Sequence, residues 1–151
     1  MLGSGAREHA LAWKLKQSPA LSALFIAPGN PGTEELGTTL AVDQNDPAAV
    51  VALVKAHRIE LLVVGPEAPL VAGVADAVRR AGVPVFGPDS AAARVEGSKA
   101  FAKEIMLAAG VPTAVTRVFT DQDEAAKAAA AGGPIVVKAD GLAAGKGVVV
   151  A

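Results

Sequence analysis

The sequence predicts an α/β fold built on a parallel, doubly wound sheet. Three observations predict it. Short apolar runs alternate with stretches of helical period along the chain. The run ELLVVGPEAPL, apolar throughout Leu61–Val64, reads as a strand of the kind buried on both faces of a parallel sheet. Residues are 52% hydrophobic but only 3% aromatic, so the core must be assembled from Ala, Val and Leu.

The elements follow in order. The turn Gly3-Ser4-Gly5 opens AREHALAWKLKQ, whose Leu11, Ala12, Trp13 and Leu15 suit a helix lying on a sheet. Such a turn needs a strand to deliver it to the sheet's C-terminal edge. Only Met1 and Leu2 precede Gly3, so the first strand is expected to be cut short. Together with the stop at Ala151, this suggests a piece of a larger protein. ALFIAPGN is a short strand stopped by Pro28 and Gly29. DPAAVVALVKAHR is a helix with Asp46 as N-cap and Pro47 in its first position. ELLVVGPEAPL is the buried strand, VAGVADAVRRAG a helix ending at Gly82, and VPVFGP another short strand. These form a first domain over about residues 1–88.

The pattern changes after Gly87. DSAAARVEGSKAFAKEIMLAAG reads as two helices broken at Gly97, with Ser98 capping the second. VPTAVTRVFT is strand-like, and DQDEAAKAAAAGG is a polar, alanine-rich helix. Two strands, 135–138 and 147–150, flank a glycine-rich loop. A second, incomplete domain therefore covers residues 89–151.

A net charge of −1 gives no electrostatic case for a nucleic-acid or membrane-surface partner. With no cysteine there is no disulfide, thiolate ligand or thiol nucleophile. No apolar run approaches the ~18 residues of a membrane span, and the glycine-rich start does not read as a signal peptide. A soluble cytoplasmic protein is the expectation. His9 and His57 have no spacing that would build a metal site.

The loop DGLAAGKG carries the sharpest chemistry. Glycine amides approach phosphates closely, and an ammonium adds charge. It is not a P-loop. Three residues rather than four separate Gly141 from Gly145, and Gly147 stands where Ser or Thr would hold magnesium. The loop either covers a phosphate with Lys146 or is a hairpin with a solvated lysine. Lys138, breaking the run PIVVKAD, either points to solvent or meets an anion. Lys99 lies in the first turn of its helix, where a cation opposes the macrodipole at roughly 0.3–1 kcal/mol. A phosphate bound at that helix N-terminus would account for it; a tolerated surface lysine is the alternative.

At the other end, Gly3-Ser4-Gly5 is a weak phosphate motif, because G-x-G-x-x-G needs glycine where Glu8 sits. A carboxylate suits ribose hydroxyls or an amine better than a pyrophosphate. Glu67, between Pro66 and Pro69, follows the buried strand at the edge where open α/β sheets bind ligands. An ordinary exposed loop glutamate is the other reading.

The stretches GSGAREHALAWKL, APGNPGT, VVGPEAPLVAG, FGP, EGSKAFAK and PIVVKADGLAAGKGVVVA together resemble the phosphoribosylamine–glycine ligases, or glycinamide ribonucleotide synthetases, of the ATP-grasp superfamily. The resemblance runs along the whole chain in the family's order. It implies a Rossmann-like substrate domain followed by the start of an ATP-grasp domain. It also implies an ATP-dependent joining of 5-phosphoribosylamine and glycine through glycyl phosphate, giving glycinamide ribonucleotide, ADP and phosphate in purine synthesis. By the same resemblance Lys99, Lys138, Gly141, Gly145, Lys146 and Gly147 contact ATP. Gly3, Ser4, Gly5, Arg7, Glu8, Asn30 and Glu67 contact the phosphoribosylamine. The magnesium or manganese ligands are expected beyond Ala151, no catalytic residue is assigned, and the chain alone is expected to lack ligase activity. Ala6 stands where the family commonly has glycine and requires a negative φ. Two other classes remain open: a self-contained nucleotide-binding module, and a nicotinamide-dependent oxidoreductase. The latter would want an acidic residue after the second strand, where ALFIAPGN has none.

Overall fold

The structure is a computed structural model that describes residues 1–143 and 146–150. Ala144, Ala151 and the expected phosphate contact Gly145 lie outside the described residues. The chain forms two compact units, Met1–Ala93 and Arg94–Ala151.

The first unit runs β1 (Leu2–Gly3), α1 (Ala6–Lys16), β2 (Phe25–Pro28), α2 (Pro31–Glu34), β3 (Thr38–Thr39), α3 (Pro47–Ala56), β4 (Leu62–Val63), α4 (Glu67–Val71), α5 (Val74–Arg80) and β5 (Val85–Phe86). Its strands pair in parallel. Leu2 lies opposite Ala27, Phe25 opposite Thr38, and Leu62 opposite Val85. A single parallel bridge between Leu2 and Val64 joins the two halves, giving the order β3-β2-β1-β4-β5. That is a doubly wound sheet, with its switch point between β1 and β4. The first strand is short, as expected, yet it occupies the sheet centre with Met1 and Leu2 buried.

Successive strand residues point to opposite faces. Leu2, Ala27, Leu62 and Val64 meet Val50 and Val54 of α3 and Val74, Ala75 and Val78 of α5. Met1, Ile26 and Val63 meet Ala12 and Leu15 of α1 on the other side. Each core is aliphatic, which is why so few aromatic residues suffice. Asp46 starts α3 as expected: its Oδ1 accepts from the amides of Ala48 at 2.8 Å and Ala49 at 3.2 Å, and Pro47 takes the first position.

Three expectations are corrected. The run expected to be one strand over 60–70 is extended only at Leu62–Val63, and Glu67–Val71 is helical because the chain turns at Gly65-Pro66. The single helix expected over 71–82 is divided at Gly73, whose φ of 85° is left-handed and interrupts the helical ladder. The stretch 111–120 forms no strand; instead Lys103, in the preceding helix, holds it through Thr113 Oγ1 and the carbonyl of Ala114. Helix α2 and strand β3 were not anticipated.

Helix α6 (Ser90–Gly97) spans the division between the units. The second unit continues with α7 (Lys99–Ala108), α8 (Gln122–Ala130), β6 (Val136–Lys138) and β7 (Val148–Val150). Ser98 caps α7, its Oγ accepting from the amide of Phe101 at 3.1 Å. Strands β6 and β7 are antiparallel, with Lys138 opposite Val148.

Candidate functional site

Three loops meet at the C-terminal ends of β1, β2 and β4, beside the switch point. They carry Gly3–Gly5, Gly29–Asn30 and Gly65–Glu67. Glu8 joins the first to the third. Its side chain is buried at 5% exposure. Oε2 accepts from the amide of Gly5 at 2.8 Å, capping α1, and Oε1 accepts from Arg7 Nε at 2.8 Å. Arg7 Nη1 then donates to Glu67 Oε1 at 2.9 Å, so one guanidinium spans both sides of the switch point.

The glycines explain how a carboxylate fits there. A Cβ at Gly3 would stand 2.2 Å from Glu8 Cγ, one at Gly65 would stand 2.4 Å from it, and one at Gly5 would stand 2.7 Å from Oε2. Gly3 also needs its φ of 130°. The turn that resembles a phosphate motif is therefore first a socket for Glu8. Ala6 is the first helical residue and has the negative φ it requires. Asn30 ties in the β2 loop. Its Nδ2 donates to the carbonyl of Ser4 at 2.8 Å, and its Oδ1 accepts from the amide of Thr33 at 3.1 Å. The amide of Gly29 donates to the carbonyl of Gly3 at 3.1 Å.

Seven expected substrate contacts thus cluster in one place, with different roles. Glu8 and Asn30 spend their polar atoms on the loops themselves. Ser4, Arg7 and Glu67 face outward. Glu67 begins α4 and is held by Arg7 as well as by the flanking prolines. The Arg7 guanidinium holds the Glu67 carboxyl below the ordinary glutamate range, and the two carboxylates raise Arg7 in turn. An exposed cation beside an exposed anion can receive a polyol or a phosphorylated sugar. Gly65 and Thr33 were missed in the sequence. Glu8 had a signal, since Gly5-x-x-Glu8 has capping-box spacing.

A cleft of about 590 Å³, lined in part by Leu15, Leu24, Phe25, His57 and Leu61, opens at the other end of the sheet. It lies away from the switch point, where ligands of this fold class bind.

In the second unit, the amide of Ala139 donates to the carbonyl of Gly147 at 2.8 Å, carrying the β6–β7 ladder one step into the loop. A Cβ at Gly147 would stand 2.8 Å from that of Ala143, so the loop's far limb packs close to its near one. Lys138 and Lys146 are exposed. Lys99 is the first residue of α7, and its Nζ donates to the carbonyl of Gly141 at 2.7 Å. At this helix N-terminus the first-turn amides meet the carboxylate of Asp140. Its Oδ2 accepts from the Ser98 hydroxyl at 2.9 Å, and its Oδ1 accepts from the amides of Lys99 at 2.6 Å and Ala100 at 3.3 Å. The Ser98 hydroxyl first, and then these amides, hold Asp140 below the usual carboxylate range. Asp140 was not picked out from the sequence.

Among the described residues, no group of three His, Asp or Glu side chains is placed to hold a metal ion. No described helix is long and apolar enough to cross a membrane.

A doubly wound first unit followed by an antiparallel hairpin with a lysine-bearing glycine loop is the order of a Rossmann-like N domain and the start of an ATP-grasp domain, the class that the family match assigns. Comparison with known proteins gives the particular family. The profile described as "Phosphoribosylglycinamide synthetase, N domain" matches residues 1–96, and "Phosphoribosylglycinamide synthetase, ATP-grasp (A) domain" matches residues 97–151. The chain belongs to the phosphoribosylglycinamide synthetase family. The phosphoribosylamine–glycine ligase of Streptomyces coelicolor is 61% identical over 151 residues, covering 99% of this chain and 36% of that protein. That of Agrobacterium fabrum is 53% identical over 152 residues, covering 100% and 36%. The crystal structure of phosphoribosylamine–glycine ligase from Thermotoga maritima superposes with a TM-score of 0.74 at 35% identity, covering 99% of this chain and 34% of that one. The chain spans about a third of the length of these relatives.

Proposed function

We propose that this chain contributes to an ATP-dependent carbon–nitrogen ligase that joins 5-phosphoribosylamine to glycine in the cytoplasm, giving glycinamide ribonucleotide, ADP and phosphate in purine synthesis. One observation carries the reading. The Arg7–Glu67 pair lies across the switch point of a doubly wound sheet, in the unit that matches the family's N domain. The first unit would hold phosphoribosylamine, with Ser4, Arg7 and Glu67 outward and Glu8 and Asn30 fixing the loops beneath them. The second would begin the ATP site, with Lys99, Lys138 and Lys146 and the amides around Gly141 and Gly147 on the phosphates.

In this reaction the glycine carboxylate takes the γ-phosphoryl group of ATP and releases ADP. The substrate amine then attacks the acyl carbon, and phosphate leaves. Such transfers depend on positioning and charge neutralisation rather than on covalent work by the protein. Lys138 is borne on a strand and is placed in advance. Lys146 lies among glycines and acts as the loop closes. ATP-grasp ligases use ATP with a divalent cation, and the residues described here supply no gathered ligand set for that cation.

The test is Glu67→Gln in a full-length ligase carrying this sequence. The amide keeps an acceptor for Arg7 and removes the charge. Use of phosphoribosylamine should weaken by roughly tenfold or more, the worth of a charge-assisted hydrogen bond, while ATP affinity holds. An equal loss for ATP would overturn the assignment.

A further inference from the structure

We infer that Asp140 is a positioning residue: it fastens the root of the glycine-rich loop to the N-terminus of α7, and so sets Lys99 and Lys138 at a fixed spacing for the phosphates of a nucleoside triphosphate. The inference rests on the ATP site proposed above. Both carboxylate oxygens are engaged, Oδ1 by the amides of Lys99 and Ala100 and Oδ2 by the Ser98 hydroxyl. That hydroxyl also accepts from the amide of Phe101, so one group caps the helix and grips the loop. Lys99 returns the contact, its ammonium donating to the carbonyl of Gly141.

The fastening is therefore reciprocal. A loop anion lies on helix amides, and a helix cation lies on a loop carbonyl. A single hydrogen bond would leave α7 free to pivot, whereas these contacts fix both distance and direction. Lys138 comes two residues before Asp140, on the paired strand β6, so its stem has little freedom relative to the latch. Gly141, with φ of 88°, lets the chain turn away at once while the Asp140 side chain stays on α7.

One consequence separates this arrangement from simple phosphate capture. Helix N-termini are ready anion sites, but this one is already filled by a carboxylate. A bound triphosphate is met by ammonium groups and loop amides, while the first-turn amides of α7 stay with Asp140.

The first measurement is a pH titration of ¹⁵N-labelled protein. The amide resonances of Lys99 and Ala100 should move together with one carboxyl midpoint, below the ordinary aspartate range, and Asp140→Asn should abolish that movement. The second is MgATP affinity in the full-length protein. Asp140→Ala should weaken it several-fold, Asp140→Asn should recover part of the loss through its remaining acceptor, and KM for phosphoribosylamine should not change. Titration of both amides persisting in Asp140→Asn would refute the latch. A latch lost by resonance with unchanged MgATP affinity would show that Asp140 positions nothing. Disappearance of the wild-type titration on adding MgATP would mean that phosphate displaces the carboxylate, and would equally overturn the inference. Wild-type protein that keeps the latch but binds no MgATP counts against the ligase reading instead.

Discussion

Gly65→Ala tests the socket around Glu8 directly. The backbone at Gly65 is not left-handed, so alanine meets no conformational obstacle there. The obstacle is steric: the new methyl would lie 2.4 Å from Glu8 Cγ, 2.5 Å from Oε1 and 2.8 Å from Cδ. Ordinary contact begins near 3.4 Å. The clash falls on the middle of a buried side chain whose end is anchored to Gly5 and Arg7, so Glu8 cannot swing clear cheaply. Overpacking costs ~1–3 kcal/mol, and a lost helix cap about 1 kcal/mol. Together these make a loss of about 2–4 kcal/mol, or about 10–30 °C in melting temperature for a unit of this size. Circular dichroism of the 151-residue chain reads the melt. The decisive variant is Gly65→Ala combined with Glu8→Ala, in which the clash has no partner. The double variant should be clearly less destabilised than the sum of the two single ones, because residues in contact couple. Additive losses would show that Gly65 is needed for something other than room for Glu8.

Asp46→Ala removes the cap of α3 and should cost about 1 kcal/mol, read as a melting temperature lower by a few degrees. The Arg7–Glu67 pair should make stability depend on pH. Because Arg7 depresses Glu67 in the folded state, its stabilisation is present above the ordinary glutamate value of about 4.3 and is lost as pH falls through the depressed value. Both side chains are well exposed, so the effect should stay under about 1 kcal/mol. Urea unfolding of wild type and Arg7→Met should differ at pH 6 and converge in acid. In the full-length protein, Lys138→Ala should weaken ATP binding directly, whereas Lys146→Ala should spare binding and slow turnover. ATP dissociation constants and single-turnover rates distinguish the two; equal losses of affinity with an unchanged Lys146→Ala rate would refute the division.

Legibility followed the range of the interactions. Asp46-Pro47 and Ser98 announce helix starts locally, and the structure uses them so. The parallel sheet was legible where its strands are apolar runs, as at Phe25–Pro28 and Leu62–Val63, and not at Thr38–Thr39. The helix Glu67–Val71 was not, since its apolar residues extend the preceding strand's pattern without a break. The valines and threonines of 111–120 have the intrinsic preference for a strand, but no described segment pairs with them, and pairing rather than preference makes a strand. In the site, the loops were found because glycine and proline mark them. The work of those glycines was hidden, because Gly65 meets Glu8 only after the sheet brings β4 beside β1. Asp140 was invisible for the same reason, its partners lying about forty positions earlier.

The position of β1 has a consequence for how the molecule is made. This strand precedes both of its neighbours in the chain, yet lies between them: Leu2 waits for Ala27 on one side and for Val64 on the other. Its most apolar residues therefore emerge from the ribosome well before the second partner exists. Contacts of such long sequence separation form slowly, and the unpaired edge is open to wrong partners in the interval. The Leu2–Val64 bridge joins the two halves of the sheet and brings the Arg7 and Glu67 loops together in the same event. A nascent chain thus forms the Arg7–Glu67 pair only when the two halves of its sheet have met.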